Sequence, residues 1–395
     1  MSKPKILIAG AGLGGLAAAC SLMKAGYPVE IHEQAPKLGE VGAGIQLSAN
    51  AMHVLNYLGV GEKVSGLSVQ PQAYVFRLYD SGEELQRFAL ADAHLEMHRA
   101  PYNQVHRADL HEVLAERVIE LGGEDIIHLN HTVTHFDEGD DGVTLHFADG
   151  SSASGDVLVG ADGVKSVIRN QICGEVPVKY TGDAVWRITV PAEKLPPNFQ
   201  DEVMAVWMGP GKHAVSYYIR RGEILNFVGC VETDEVSEES WTARFPWEKL
   251  KEDFDGWHPD IQTIIELTEK DQCYRWSLFK RPVVDNWNTA RATILGDSAH
   301  ATLPYLAQGA AMAVEDGVVL ARALDQEGDI AAALALYTRN RVPRTRKVVD
   351  GSDANRELFH LRDIDEMRRR FKNRDEGSYR NEWLYSYNPL TVELV

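Results

Sequence analysis

Cysteine is scarce in this chain of 395 residues. There are four, Cys20, Cys173, Cys230 and Cys273, far apart and without a CxxC pair. That excludes a disulfide-stapled scaffold and a zinc-ribbon spacing, and reads as reduced thiols in a cytoplasmic protein. Basic residues are also outnumbered: 40 Lys and Arg stand against 58 Asp and Glu, a formal charge of −18. A broad nucleic-acid or anionic-membrane surface needs the opposite balance. Long apolar runs are missing too. Lys5–Gly15 is rich in glycine, and Gly309–Leu324 is interrupted by Glu315, Asp316 and Arg322. Neither offers the roughly 20 apolar residues of a membrane span. The N-terminus carries no signal-peptide cleavage pattern, and the chain has no internal repeat or low-complexity segment.

What is present suits a globular protein of two or three domains, with 44% hydrophobic and 25% charged residues. Lys5–Ala9 is a β-branched run bounded by glycine, a buried parallel strand by pattern. A helix is expected from Gly14 to Ala25, stopped by Gly26, and a second strand at Val29–His32. From Gln104 to Leu121 the periodicity is helical, with Leu110, Val113, Leu114, Val118 and Leu121 on one face. Val133–Phe147 reads as a hairpin turning at Gly139–Gly142, and Asp156–Val159 as another buried strand.

The texture changes from about Tyr180 to Tyr274. Val203–Met208, Ala214–Arg220 and Leu225–Val231 are strand-like with short turns, which predicts an antiparallel sheet. Trp186, Trp207, Trp241, Trp247, Trp257 and Trp276 fall in or beside it, six of the eight tryptophans, so an aromatic interior is expected. A buried strand returns at Ala292–Leu295, a long helix at Gly309–Leu324, and Ile330–Arg374 is helical with a kink expected near Pro343. The expected division is 1–175 (with an excursion into the other domain near 70–100), 176–276, 277–350 resuming the first domain, and a helical extension over 351–395.

Three motifs carry chemistry. Gly10, Gly12 and Gly15 form GxGxxG between a strand and a helix, the context in which a backbone turn admits a pyrophosphate at a helix N-terminus. Glu33 ends the next strand, where a carboxylate accepts from ribose hydroxyls. This much says NAD or FAD without choosing. The second motif is Gly160-Ala-Asp162-Gly163 running to Ser166 and Arg169; the third is Gly296-Asp297-Ser298-Ala299-His300, leading through Pro304 to Gln308-Gly309. A helix starting near Gly309 would aim its positive end at whatever lies beyond Pro304–Gln308 and stabilise negative charge there, with small residues Ala307, Gly309 and Ala310 allowing close approach of the backbone to a flat ring.

Together the three motifs resemble those of the single-component FAD-dependent aromatic hydroxylases, over nearly the whole chain. That resemblance implies an α/β fold: a Rossmann-like FAD-binding domain, a mainly antiparallel substrate domain and a helical C-terminal segment. It implies FAD as cofactor, held by Gly10, Gly12, Leu13, Gly14, Gly15, Glu33, Gly44, Ile45, Arg107, Asp162, Asp297, Gly309 and Ala310. Asp297 would bind a ribityl hydroxyl, Arg107 would lie along the ribityl–pyrophosphate arm, and Asp162 would link cofactor and nicotinamide regions or simply cap its turn. NADH or NADPH would be a transient co-substrate without a second Rossmann domain, and O2 would form a C4a-hydroperoxyflavin.

Attack on a ring is easiest when its hydroxyl is deprotonated, so a base should face the flavin. His213 is that candidate, with Tyr217 on the same strand face; a surface histidine at a strand edge is the alternative. Gln46 and Pro304 are further pocket candidates. The His213-x-x-x-Tyr217 arrangement resembles that of 3-hydroxybenzoate 6-hydroxylases and 6-hydroxynicotinate 3-monooxygenases, whereas Leu303–Ala313 is closer to salicylate hydroxylases. The expected substrate is a small phenolic acid of salicylate or hydroxybenzoate type. A hydroxylated N-heterocycle remains open, as does a flavin-binding NAD(P)H oxidase or redox sensor without hydroxylase activity. Arg187 or Arg220 would supply positive field for an organic anion.

No metal site is expected, since His131 and His135 sit in a strand-like hairpin and no carboxylate pair completes a site. With no GxSxG elbow, a packing or loop role is expected for His300 rather than hydrolysis. The basic cluster Arg339–Lys347 and Arg368–Arg370 are expected to be solvated helix faces. The aromatic tail, with Trp383, Tyr385 and Tyr387, should dock on its own or a neighbouring subunit, which leaves a homodimer open.

Overall fold

The structure, a computed structural model, describes residues 3–39, 42–175, 177–199, 201–237, 242–372 and 381–395. Its first layer is a five-stranded parallel sheet in the order Ala292–Ile294, Val157–Gly160, Ile6–Ala9, Val29–His32 and Ile127–His128. The two strands expected from the N-terminal pattern are there, with the helix Leu13–Lys24 between them. Ile6, Leu7, Ile8 and Ala9 are all fully buried, as strands covered on both faces must be. Helices Leu13–Lys24 and Gly309–Gln326 pack against each other. The expected hairpin is present as Val133–Glu138 and Val143–Phe147, closed by Gly139 N–H donating to Gly142 O at 2.9 Å.

The second layer is a seven-stranded sheet: Tyr274–Lys280, Lys179–Pro191, Ile224–Glu232, Lys212–Ile219, Val203–Gly209, Ala73–Leu78 and Glu84–Ala89. Every pairing is antiparallel except Val203–Gly209 with Ala73–Leu78, which is parallel. Its outer face buries Trp186, Ile188, Trp207 and Phe227 against Trp247, Phe254 and Trp257 of a helical cover. Five of the six tryptophans are therefore interior, Trp276 among them on the inner face; Trp241 lies outside the described residues.

Three expectations need correcting. The helix expected from Gln104 begins only at Arg107, because Asn103–His106 is drawn into antiparallel pairing with Gly44–Leu47. The helix Ile330–Phe359, with Pro343 inside it, runs on through residue 350, where a domain boundary was expected; Ile364–Lys372 follows. Finally, Arg339–Lys347 is a solvated face only in part: Arg339 and Lys347 are exposed, but Arg341 is fully buried and Arg344 nearly so. The tail docks on its own chain, with Arg322 donating to Pro389 O at 2.6 Å and Val392 O at 2.7 Å.

Candidate functional site

The glycine turn opens the site. Gly10 has φ +108°, and a Cβ there would meet Ala161 O at 2.4 Å. A Cβ on Gly15 would stand 2.0 Å from Gly10 O, and one on Gly14 2.8 Å from Leu295 Cδ1. Leu13 is buried in the core. These four build and pack the turn. Gly12 differs, since a Cβ there meets nothing within 4 Å. The helix behind it has no side-chain cap and no acidic residue in its first turn, which leaves its N–H groups and positive end toward that open space. Glu33 closes the other side: Oε2 accepts from Ala11 N–H at 2.7 Å and Oε1 from Ala35 N–H at 2.8 Å. Each oxygen keeps a lone pair for a ribose hydroxyl. An open cradle, free donors and a fixed carboxylate fit the diphosphate and ribose of a dinucleotide.

The second and third motifs are joined. Asp162 Oδ2 accepts from Val167 N–H at 2.8 Å, capping the helix Val167–Cys173, and Oδ1 accepts from Ser298 Oγ at 3.1 Å. Asp162 thus caps its turn and also ties one loop to the other. Asp297 is exposed between buried neighbours and lines a cavity with Arg169, Arg281 and His300. Burial, and then the neighbouring Arg281, lowers the affinity of the Arg169 guanidinium for its proton.

Behind this loop lies a buried charge network. Arg341 pairs with Glu315 at 2.8 Å and with Asp316 at 2.6 Å, and Arg344 pairs with Glu315 at 3.0 Å. Asp316 Oδ2 also accepts from Gly296 N–H at 2.8 Å and lies 2.6 Å from His300 Nε2. Glu315 accepts from Asn50, which also donates to Gln308 at 2.9 Å. Burial alone would raise both carboxyls. Arg344 and Arg341 outweigh it at Glu315, as His300 and Arg341 do at Asp316, and hold each below its ordinary value. The network fixes both the Asp297 loop and the start of the Gly309 helix. That start has no acidic residue and no side-chain cap, and Gly309 and Ala310 are only half-buried.

Facing it is the strand Gly44–Leu47. Gly44 lies against Tyr217, where a Cβ would come within 2.5 Å of Tyr217 Cε2, and its N–H donates to Asn226 Oδ1 at 3.1 Å. Asn226 Nδ2 is buried without a hydrogen-bond partner. Arg107 N–H donates to Ala43 O at 2.9 Å, so its helix starts beside this strand, and Ile45 packs on the first-domain core.

The inner face of the large sheet completes the site. His213, Val215 and Tyr217 share that face, and Val215 and Val228 are incompletely buried although they lie on central strands. The side chains form two groups. Tyr217 is packed with Met204, Tyr102 and Met312, and Tyr102 O–H donates to Gln46 Oε1 at 3.4 Å. His213 is only 2% exposed, which rules out a surface histidine at a strand edge. Its Nδ1 lies 2.8 Å from His360 Nε2, and its ring centroid 5.3 Å from that of Tyr305. Pro304 is exposed and begins the turn that carries Tyr305. Burial, then His360, pushes the His213 imidazole well down, and burial pushes the Tyr217 phenol up. Arg187 is buried on this face over Tyr274, whereas Arg220 is paired with Asp109 at 2.9 Å.

Asn226, Tyr102, Tyr305, His360 and the Glu315–Arg341 network were not anticipated. Asn226 had a signal, a polar residue inside the apolar run ILNFVGCVE. His360 had none, since its partner lies 147 positions away. His131 and His135 are not together: His131 stacks on His32 and His128, while His135 stacks on His146 beside Asp137.

The profile of the FAD binding domain family matches residues 3–352. The chain is 35% identical over 393 residues to a 3-amino-4-hydroxybenzoate 2-monooxygenase of Streptomyces platensis, covering 99% of this chain and 98% of that one. It is 36% identical over 389 residues to the 3-hydroxybenzoate 6-hydroxylase of Polaromonas naphthalenivorans, covering 97% and 96%. Among solved structures it is similar to HpxO of Klebsiella pneumoniae, in complex with FAD and uric acid: 28% identity, TM-score 0.82, covering 93% and 92%. No helix among the described residues is long and apolar enough to cross a membrane.

Proposed function

Because the chain belongs to the FAD-dependent aromatic-ring monooxygenases, we propose that it hydroxylates a small phenolic acid, with His213 as the base and NADH or NADPH as transient reductant. Bound FAD supplies the oxygen-activating redox chemistry, which no side chain of the protein can provide. Free N–H groups at Gly12–Leu13 would hold the diphosphate, Glu33 a ribose and Asp297 a ribityl hydroxyl. The Gly309 helix start would stabilise negative charge on the reduced ring. Arg107 would flank the connecting arm, and Gly44 and Ile45 would border the ring through their strand, the side-chain space at Gly44 being taken by Tyr217.

One observation carries the substrate reading: His213 and Tyr217 share the inner sheet face, with incompletely buried Val215 between them. With the tautomer in which Nδ1–H donates to His360, neutral His213 would present Nε2 as the nitrogen that accepts a phenol proton. Tyr217 would orient the ring, and Arg187 would add positive field for its carboxylate. Hydroxylation of a heterocycle is the second reading, favoured by the uric acid held by HpxO.

The test is to follow NADH and NADPH oxidation by the purified yellow protein with salicylate, 3-hydroxybenzoate, 3-amino-4-hydroxybenzoate and 6-hydroxynicotinate, identifying products and CO2. One phenolic acid should give a hydroxylated product. Reductant consumed with every compound but yielding peroxide alone would defeat the hydroxylase reading. His213→Ala should slow hydroxylation by about a hundredfold or more with FAD content unchanged, and an unchanged rate would remove the base assignment.

A further inference from the structure

His213 is joined to a second buried histidine that the reaction as described leaves idle. His360 ends the helix Ile330–Phe359 and is 5% exposed. Its Nε2 lies 2.8 Å from His213 Nδ1, and its Nδ1 lies 3.4 Å from Glu232 Oε1. Glu232 ends its strand with its side chain 29% exposed and pairs with the exposed Arg362. The three residues therefore form a line from the inner face of the sheet to solvent.

The surroundings suit a passage for charge. Asp183 is fully buried, 4.0 Å from His360 Nδ1; it accepts from Arg356 and, at 2.7 Å, from Tyr305 O–H. Arg356 also approaches Glu232, at 3.9 Å. The groups facing His360 are thus His213, Asp183, Glu232, Arg356 and Tyr305, with the Cys230 thiol beside Asp183. Burial disfavours an imidazolium on His360, while Asp183 and Glu232 favour it. A proton crossing the pair would pass the buried carboxylate of Asp183 and reach Glu232, which borders solvent.

We propose that His360 is a positioning residue that passes the proton taken up by His213 outward to Glu232 and solvent. This rests on the hydroxylase reading above. Before transfer both rings carry hydrogen on Nδ1, so that His213 Nδ1–H donates to His360 Nε2, while His360 Nδ1, buried and without a hydrogen bond, stands 3.4 Å from Glu232 Oε1, a gap that a small rotation of either side chain closes. The phenol proton goes to His213 Nε2, the Nδ1 proton of His213 to His360 Nε2, and the Nδ1 proton of His360 to Glu232. Each histidine gains one proton and loses one. Both end neutral in the other tautomer, and one proton leaves through the carboxylate. The reverse flow returns a proton to the product. His213 needs no lasting positive charge in a site where burial disfavours one.

The test mixes FAD-loaded enzyme with 3-hydroxybenzoate, or whichever acid of the panel turns over fastest, in weak buffer containing phenol red. Proton release to solvent is timed by stopped flow. In His360→Gln the release should slow by at least about tenfold, with FAD content, substrate Kd and thermal midpoint unchanged. Glu232→Gln, at a half-exposed position, should slow it and flatten its pH profile. Wild-type release rates in both variants, with His213→Ala slowed, would overturn the relay and leave the hydroxylase reading standing. A His360→Gln protein whose rate loss matches its loss of FAD or stability would also overturn it. If no acid of the panel turns over in the wild type, the hydroxylase reading falls first, and the relay with it.

Discussion

Gly12 and Gly15 sit three residues apart in one turn, yet an added methyl group meets opposite surroundings. At Gly15 it would stand 2.0 Å from Gly10 O, while at Gly12 it would enter open space. Gly15→Ala should therefore destabilise the FAD-free protein by about 1–3 kcal/mol or more. Gly12→Ala should leave that stability unchanged and weaken FAD binding. Urea unfolding of both apoproteins beside a flavin titration checks this; equal destabilisation by the two would contradict it. Residues such as these were legible in the sequence because a glycine turn and its nearby carboxylate are local chemistry. Asn226 and His360 were not, because each takes its role from a partner brought close only by the fold, Gly44 and His213 respectively.

At the level of elements, helix Ile330–Phe359 owes its misreading to its charges. Sequence pattern counts Arg341 and Arg344 as polar and assigns them to solvent. It cannot see that the neighbouring helix presents Glu315 and Asp316 to the same seam. Replacing Arg341 by Met should cost about 3–5 kcal/mol, because two buried carboxylates would lose a partner. The acid limb checks the cause. Both carboxyls titrate below their ordinary values in the fold, so their contribution is complete above the ordinary carboxylate range and is lost as pH falls through the depressed values. Arg341→Met should begin acid unfolding at a higher pH than the wild type, and coincident acid limbs would contradict this. The same limit explains Asn103–His106: its helical periodicity continues into Arg107, and only the strand Gly44–Leu47 beside it makes it extended.

The whole molecule carries buried imidazoles as well as buried carboxylates. His32, pushed down to about 3 by burial and then by His128 and His131, and His94, pushed down to about 3 by burial and then by His98 and His53, remain neutral in the fold. The unfolded chain takes up protons at both from about pH 6.5 downward. Stability is therefore complete above that value and is lost as pH falls toward the folded one, by about 1.4 kcal/mol per pH unit for each group. Urea midpoints between pH 8 and 5 should decline before any carboxylate titrates, and His32→Gln should make the slope shallower. A flat profile over that range would exclude this account. The overall layering was legible in the motif order, whereas the pairing of Val203–Gly209 with Ala73–Leu78 was visible only as an excursion near residues 70–100. That single parallel pairing bears on how the protein is made. A ribosome delivers Ala73–Leu78 and Glu84–Ala89 long before the strand that will hold them. The first sheet in turn must wait for Ala292–Ile294, which emerges after the second sheet's last strand. Neither domain completes during synthesis without the other, so the nascent chain carries an unpaired edge for much of translation and closes both sheets late, close together in time.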